Sequence, residues 1–252
     1  GYLHRGHMAL VKRAREENDS VAVSIFVNPT QFGPSEDYQT YPKDPRRDLE
    51  LLKAEGVKLV FAPPPEEMYS PGFDSWVGVG ALAERLEGAS RPDHFRGVAT
   101  VVMKLFNIVR PDRAYFGQKD AQQVRVIEKM VADLDLGLEV VAVPTVRESD
   151  GLAVSSRNTY LSPEERKAAT VLWRSLSAAR DRWAKGEARA RTLKRVITST
   201  IEKEPLARLD YISVADSNSL EELDTIDRPT LVSLAVWIGK TRLIDNITLA
   251  GR

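Results

Sequence analysis

Across 252 residues, 36 Lys and Arg balance 36 Asp and Glu, 42% of positions are hydrophobic and there is no cysteine. At roughly 100 to 200 residues per domain, this length gives one large or two modest domains with room for a sizeable core. The missing cysteines exclude a disulfide framework, a thiolate metal site and a cysteine nucleophile, and fit a reducing, cytoplasmic setting. A formal charge of zero argues against a broad nucleic-acid face, although a few local cations and backbone N–H groups can still hold a small anion. No run approaches the roughly 18 to 20 apolar residues that cross a bilayer, and the opening GYLHRGH does not resemble a signal peptide. The expected partners are small molecules, neither nucleic acid nor membrane.

Residues 7–17 (HMALVKRAREE) open with Met8, Leu10 and Val11 ahead of a charged stretch, the pattern of an amphipathic helix. The β-branched run 21–27 predicts a strand, and the Pro- and Gly-containing run 28–34 the loop after it. A helix over 44–55 and a strand over 57–62 follow, the strand closed by Pro63, Pro64 and Pro65, which cannot supply ladder donors. A looser stretch runs to about residue 92. From 95 to 109, Val98, Val101, Val102, Leu105, Phe106 and Val109 recur at threes and fours, one face of a helix. A brief strand over 113–116, a helix over 119–134 and a strand over 138–143 complete an alternation that marks right-handed crossovers and a parallel sheet. Residues 1–146 are therefore predicted as an α/β domain, a doubly wound parallel sheet with ligands at strand carboxyl ends. After Arg147 the texture changes: a polar loop (ESDGLAVSSRN), helices over 163–185 and 188–202, and strands over 210–214, 231–238 and 242–244. That order predicts a smaller α+β domain over 147–252.

Four clusters could carry chemistry. His4 and His7 stand three apart where a helix begins, a separation of about 4.5 Å along one helical face. The first turn adds unpaired N–H groups and the positive end of the dipole, the makings of a phosphate site. Imidazole can be neutral or protonated near pH 7, so either ring can hydrogen-bond a phosphate or steady charge developing on it. Gly117, Gln118, Lys119 and Asp120 follow a strand and open a helix carrying Gln122 and Gln123; Lys119 suits a phosphate, and Asp120 a cap, a ribose or a metal-bound water. Ser155, Ser156, Arg157 and Asn158 offer hydroxyls and a guanidinium suited to a triphosphate. Asn28, Pro29, Thr30 and Gln31 end a strand, and the Gln31 carboxamide can both donate to and accept from a substrate that bears a carboxylate beside hydroxyls. Each cluster has an ordinary alternative: surface histidines, a capped helix, a Ser-rich linker, an Asn-Pro turn. The third histidine, His94, reads as a structural residue at a helix start.

Taken in order, LHRGH, VNPTQFG, DHFRGV, YFGQKDAQQ, VRESDGLAVSSRN and RLIDN resemble the pantoate–β-alanine ligase (pantothenate synthetase) family, within the HxGH nucleotidyltransferase superfamily. The resemblance implies a Rossmann-like nucleotide- and pantoate-binding domain and a C-terminal lid, in a cytoplasmic homodimer formed through the N-terminal domain. It implies ATP and Mg²⁺, with pantoate's carboxylate attacking the α-phosphorus and β-alanine's amine then attacking the pantoyl adenylate. By motif, His4 and His7 would contact the ATP phosphates and stabilise the pentacovalent transition state, with His7 the proton donor. Lys119 and Arg157 would join them in catalysis. Gly1, Gly117, Gln118, Lys119 and Asp120 would bind nucleotide, as would Val146, Val154, Ser155, Ser156 and Arg157 around adenine and the triphosphate. Gln31 and Gln123 would hold pantoate and β-alanine, and Asp48 would take part in the Mg²⁺ site. In the family a strand and a Thr-Met-Gly turn precede the histidine motif, so a sequence starting at Gly1 is expected to be incomplete at its N-terminus. Asp93 stands where the family usually has Gly, and Val154 where Met or Leu is common.

Overall fold

In the first unit, Gly1–Pro144, the chain forms α1 (Arg5–Glu17), β1 (Ala22–Ser24), α2 (Pro45–Ala54) and β2 (Leu59–Phe61). The computed structural model describes residues 1–34 and 36–251. Three short helices follow, α3 (Pro65–Met68), α4 (Gly80–Glu84) and α5 (Glu87–Ser90), within the stretch that carried no clear period. Then come the long α6 (His94–Val109), β3 (Arg113–Gly117), α7 (Ala121–Asp133) and β4 (Glu139–Val143). β1 pairs parallel with β2, and β3 parallel with β4, each pair joined through a helix as crossover units require. The apolar stripe of α6 (Phe95, Val98, Val102, Phe106) packs with Val126, Ile127 and Met130 of α7, against partly buried Phe61, Phe116 and Val140 from the strands. A smaller cluster of Leu3, Val11 and Leu52 joins α1 to α2.

The first two strands are shorter than their β-branched runs predict. Among the described residues each has a single strand partner, and after Ile25, whose N–H still reaches the Phe61 carbonyl at 2.9 Å, the first strand turns away toward Asn28.

The second unit, Thr145–Arg252, contains α8 (Pro163–Ala168), α9 (Val171–Ala184), α10 (Ala190–Ile201), β5 (Ala207–Asp216), β6 (Thr230–Ile238) and β7 (Thr241–Leu249). The strands form an antiparallel sheet in chain order. One sheet face, with Val214, Val232, Leu234, Val236, Leu243 and Ile247, closes over Leu172 and Leu176 of α9 and Leu193 and Ile197 of α10. Each of those helical aliphatics is essentially fully buried, worth about 1.5 to 3 kcal/mol of transfer free energy apiece. The single helix expected over 163–185 is two: Ser162 and Glu165 form a capping box that starts α8, and a tightened turn at Ala169 and Thr170 ends it. The last strands run further than expected: a bulge between Leu209 and Tyr211 lets β5 continue along β6, and β7 pairs with β6 over its full length without a shift. No helix among the described residues is long and apolar enough to cross a membrane.

Candidate functional site

His4 is the N-cap of α1, and the two imidazoles bind each other's backbone: His4 Nδ1 accepts the His7 N–H at 3.4 Å, and His7 Nδ1 accepts the His4 N–H at 3.2 Å. The rings stack with centroids 3.8 Å apart and an interplanar angle of 22°. With both Nδ1 atoms accepting, each neutral ring carries its proton on Nε2, the atom left to donate to a ligand. Burial, reinforced by the Lys119 ammonium, pushes His4 down to about 4; burial, reinforced by His4, pushes His7 down to about 3. The protonation state that the sequence left open is therefore the neutral one at pH 7. Two Nε2–H donors stand at the amino end of a 13-residue helix, where the dipole already favours an anion.

The charges of Lys119 and Asp120 both act on the two histidines, so the Gly117–Asp120 turn lies close to the cap of α1. Gly117 ends β3 and a Cβ there would meet nothing within 4 Å, so the strand end faces open space. Lys119 pairs with Asp120 at 3.7 Å. Of the two glutamines that follow, Gln122 is committed to the fold: it is buried, donates to the Leu82 and Arg85 carbonyls, and accepts the Glu87 N–H. Gln123 makes no such bond and is half-buried, which leaves its carboxamide for a ligand.

Gln31 ends the turn Pro29–Gln31, and its Oε1 accepts from Asn28 Nδ2 at 3.1 Å. Asn28 is buried and ties the whole loop. Its Nδ2 also donates to the Gly97 carbonyl, and its Oδ1 accepts from Thr30 Oγ1 and from Tyr69 Oη at 2.8 Å. The sequence marked Asn28 as a turn starter but held no sign of Tyr69 or Gly97 as its partners; the one available signal was the glycine in HFRGV. That glycine is needed for close approach, since a Cβ on Gly97 would stand 2.5 Å from the Thr30 carbonyl oxygen. Asp93, where the family usually has Gly, adopts φ 64, a left-handed backbone that explains the usual residue.

Asp48, the residue expected at the Mg²⁺ site, is fully buried on α2, and its oxygens accept the Tyr2 N–H at 2.7 Å and the Leu3 N–H at 2.6 Å. Backbone thus takes one lone pair of each oxygen. Among the described residues no three His, Asp or Glu side chains gather in a cluster able to hold a metal. Asp48 anchors residues 2 and 3, with Arg47 donating to the Leu3 carbonyl at 2.9 Å, just ahead of His4; Gly1 lies against the same carboxylate.

In the second unit, Val146 and Val154 bond backbone to backbone, the Val154 N–H donating to the Val146 carbonyl at 3.0 Å. Ser155 caps the short turn Ser156–Tyr160 by accepting the Arg157 N–H, and Ser156 is buried. This hairpin is braced by Arg147, whose guanidinium makes a two-pronged bond to the buried Asp245 of β7 (2.7 and 2.9 Å) and stacks 3.8 Å over Trp173. Arg147 also donates to the Gly151 carbonyl at 3.1 Å, and Gly151, at φ 90, has no room for a side chain beside Trp173.

This parallel α/β unit thus sets two imidazole donors at a helix amino end, with a lysine after the neighbouring strand, an arrangement whose charge and donors suit an anion. The chain belongs to the pantoate–β-alanine ligase family, whose model, described as "Pantoate-beta-alanine ligase", matches residues 1–248. It is thus a ligase of the kind that forms a carbon–nitrogen bond. A "Pantothenate synthetase" of Roseiflexus sp. (strain RS-1) is 61% identical over 249 residues, covering 99% of this chain and 90% of the relative. Another, of Chloroflexus aurantiacus, is 61% identical over 252 residues, covering 100% and 90%. The crystal structure of the pantothenate synthetase from Thermus thermophilus superposes with a TM-score of 0.95 at 51% identity, covering 98% of this chain and 90% of that one. A Francisella tularensis pantoate–β-alanine ligase, described as complexed with "Beta-gamma ATP and Beta-alanine", superposes with a TM-score of 0.79 at 37% identity, covering 98% and 86%.

Proposed function

We propose that this chain condenses pantoate with β-alanine at the expense of ATP, giving pantothenate, AMP and pyrophosphate through a pantoyl adenylate. The observation that carries the reading is the stacked neutral pair His4 and His7 at the amino end of α1, with Lys119 beside it. A carboxylate is a poor acyl donor until it carries a leaving group. In the first step a pantoate carboxylate oxygen attacks the α-phosphorus and the bond to the bridging oxygen breaks, releasing pyrophosphate. Negative charge builds on the phosphate oxygens as five bonds form at phosphorus, and the two neutral Nε2–H groups stabilise it by donating hydrogen bonds, His7 keeping its proton because the ring is neutral from the start. In the second step the neutral amine of β-alanine attacks the acyl carbon, AMP leaves, and the nitrogen loses its extra proton as the amide forms. No protein nucleophile is required, and holding the reactants in line supplies several kcal/mol of the barrier.

Lys119 balances the triphosphate. Gly117, Gln118 and Asp120 line the nucleotide at the β3 end, and Val146, Val154, Ser155, Ser156 and Arg157 are assigned to adenine and phosphate contacts. Gln31 and Gln123 hold pantoate by their free amide hydrogens. Mg²⁺ would enter with ATP and offset phosphate charge there; Asp48 is the carboxylate that the resemblance offers it, with backbone already bound to both oxygens. Family membership supports a cytoplasmic homodimer.

The test is to incubate the protein with ATP, Mg²⁺ and pantoate, with and without β-alanine, and follow pyrophosphate, AMP and pantothenate by mass spectrometry. AMP and pantothenate should appear together and only with β-alanine. AMP without amide product, or a stable adenylyl product released to solution, would overturn the ligase reading in favour of a simpler adenylyl transfer.

A further inference from the structure

We infer that His94, Arg91 and Glu36 form a positioning clasp that sets the Gln31 loop for pantoate, an inference that rests on the assignment of Gln31 to that substrate. The Gln31 carbonyl accepts two bonds, from His94 Nδ1 at 2.8 Å and from Arg91 Nη2 at 3.3 Å. A carbonyl can only accept, so His94 carries its hydrogen on Nδ1. Arg91 Nη1 stands 3.1 Å from His94 Nε2 and can only donate, so that nitrogen must present its lone pair. Both partners therefore select one neutral tautomer. A second ring proton would point at a guanidinium.

Arg91 is itself held. Its Nε and Nη2 make a two-pronged bond to the Glu36 carboxylate at 2.7 and 2.6 Å, and the Glu87 carboxylate stands 4.0 Å from Nη1. Glu36 belongs to the same strand-end loop as Gln31, so a single guanidinium grips that loop at two points and His94 fixes it at a third contact with Gln31. On the opposite side, Asn28 Nδ2 holds Gln31 Oε1, which orients the carboxamide and leaves its N–H₂ to face a ligand. The groups are mostly buried, His94 at 9% exposed and the Arg91 side chain at 17%, so the bonds are protected from competing water. None of these three side chains is assigned to a substrate; they act through Gln31. His94 is thus more than the helix-start residue its sequence context suggests.

The test uses the full chain in the coupled ATP, pantoate and β-alanine assay with three variants. His94→Phe keeps the ring and removes the Nδ1 donor. His94→Asn restores a donor near Nδ1. Glu36→Gln loosens Arg91 at constant size. The expected result is a pantoate KM raised about tenfold in H94F, the loss of one buried hydrogen bond, with the ATP KM within about twofold of the parent and kcat little changed. H94N should recover most of the loss, and E36Q should raise the pantoate KM about threefold. A soluble H94F with an unchanged pantoate KM, or ATP and pantoate KM values that rise together, would overturn the clasp. Should H94F not fold, E36Q decides by itself: a raised pantoate KM supports the clasp and an unchanged one overturns it. If the parent chain turns over none of these substrates, the function reading fails and takes this inference with it; parent turnover with indifferent variants overturns the clasp alone.

Discussion

Two stacked imidazoles that accept each other's backbone N–H groups have little freedom to become cations. His4 and His7 should therefore keep neutral ring C–H signals in proton NMR through pH 5.5 in the ligand-free protein, with midpoints near 4 and 3. A midpoint near 6.5 for either would mean that the stacked box is not the resting state. Gly97 makes a second residue-scale prediction. A methyl group there meets the Thr30 carbonyl and the Gln31 N–H, and backbone cannot rotate away as a side-chain tip can. Gly97→Ala should lower stability by about 1 to 3 kcal/mol by denaturant titration and weaken pantoate binding, because the displaced atoms belong to the Gln31 loop. The histidine pair was legible in the sequence because both partners lie within one helical turn. The links of Gln31 to Arg91 and His94 were not, because they join positions 60 and 63 residues apart that only the fold brings together.

Elements with a clear period were read well, and those shaped by partners were not. α6 and α7 keep an apolar stripe along their length, and the structure follows it to within a residue or two. β1 and β2 carry strand-forming residues beyond the three that pair, because ladder length depends on the neighbour and not on the run. The break between α8 and α9 leaves no proline or glycine to mark it. The hairpin ahead of Ser155 and Arg157 shows how one element can depend on another distant in sequence, since Arg147 fastens it to β7 through Asp245. Asp245→Asn leaves a largely buried guanidinium without its counter-charge. It should cost about 3 kcal/mol, read as a lower denaturation midpoint, and raise the ATP KM through the loosened Val154–Arg157 stretch. A variant as stable as the parent would show that the brace is incidental.

For the molecule as a whole, His94 is buried, His4 and His7 are half-buried, and all three are lowered, His94 to about 4 by burial and then by the Arg91 charge. The unfolded chain, with ordinary values near 6.5, takes up protons that the folded one refuses. Stability should hold above pH 6.5 as far as histidine is concerned, then fall as pH drops toward 4 and 3. Carboxylates such as Glu187, pushed down to about 2 by hydrogen bonds from Arg189, act only at lower pH. Melting temperature against pH should bend near 6.5, and a flat curve down to pH 4.5 would contradict the buried-histidine account. The two units also differ in how their sheets are wired. β6 and β7 meet across a turn of two residues, whereas Ala22 must find Leu59 and Arg113 must find Glu139 across an intervening helix. Loops that short close with little entropy lost, so the later-synthesised half of the chain is the one placed to reach native structure first, with the parallel pairs setting the slower refolding phase.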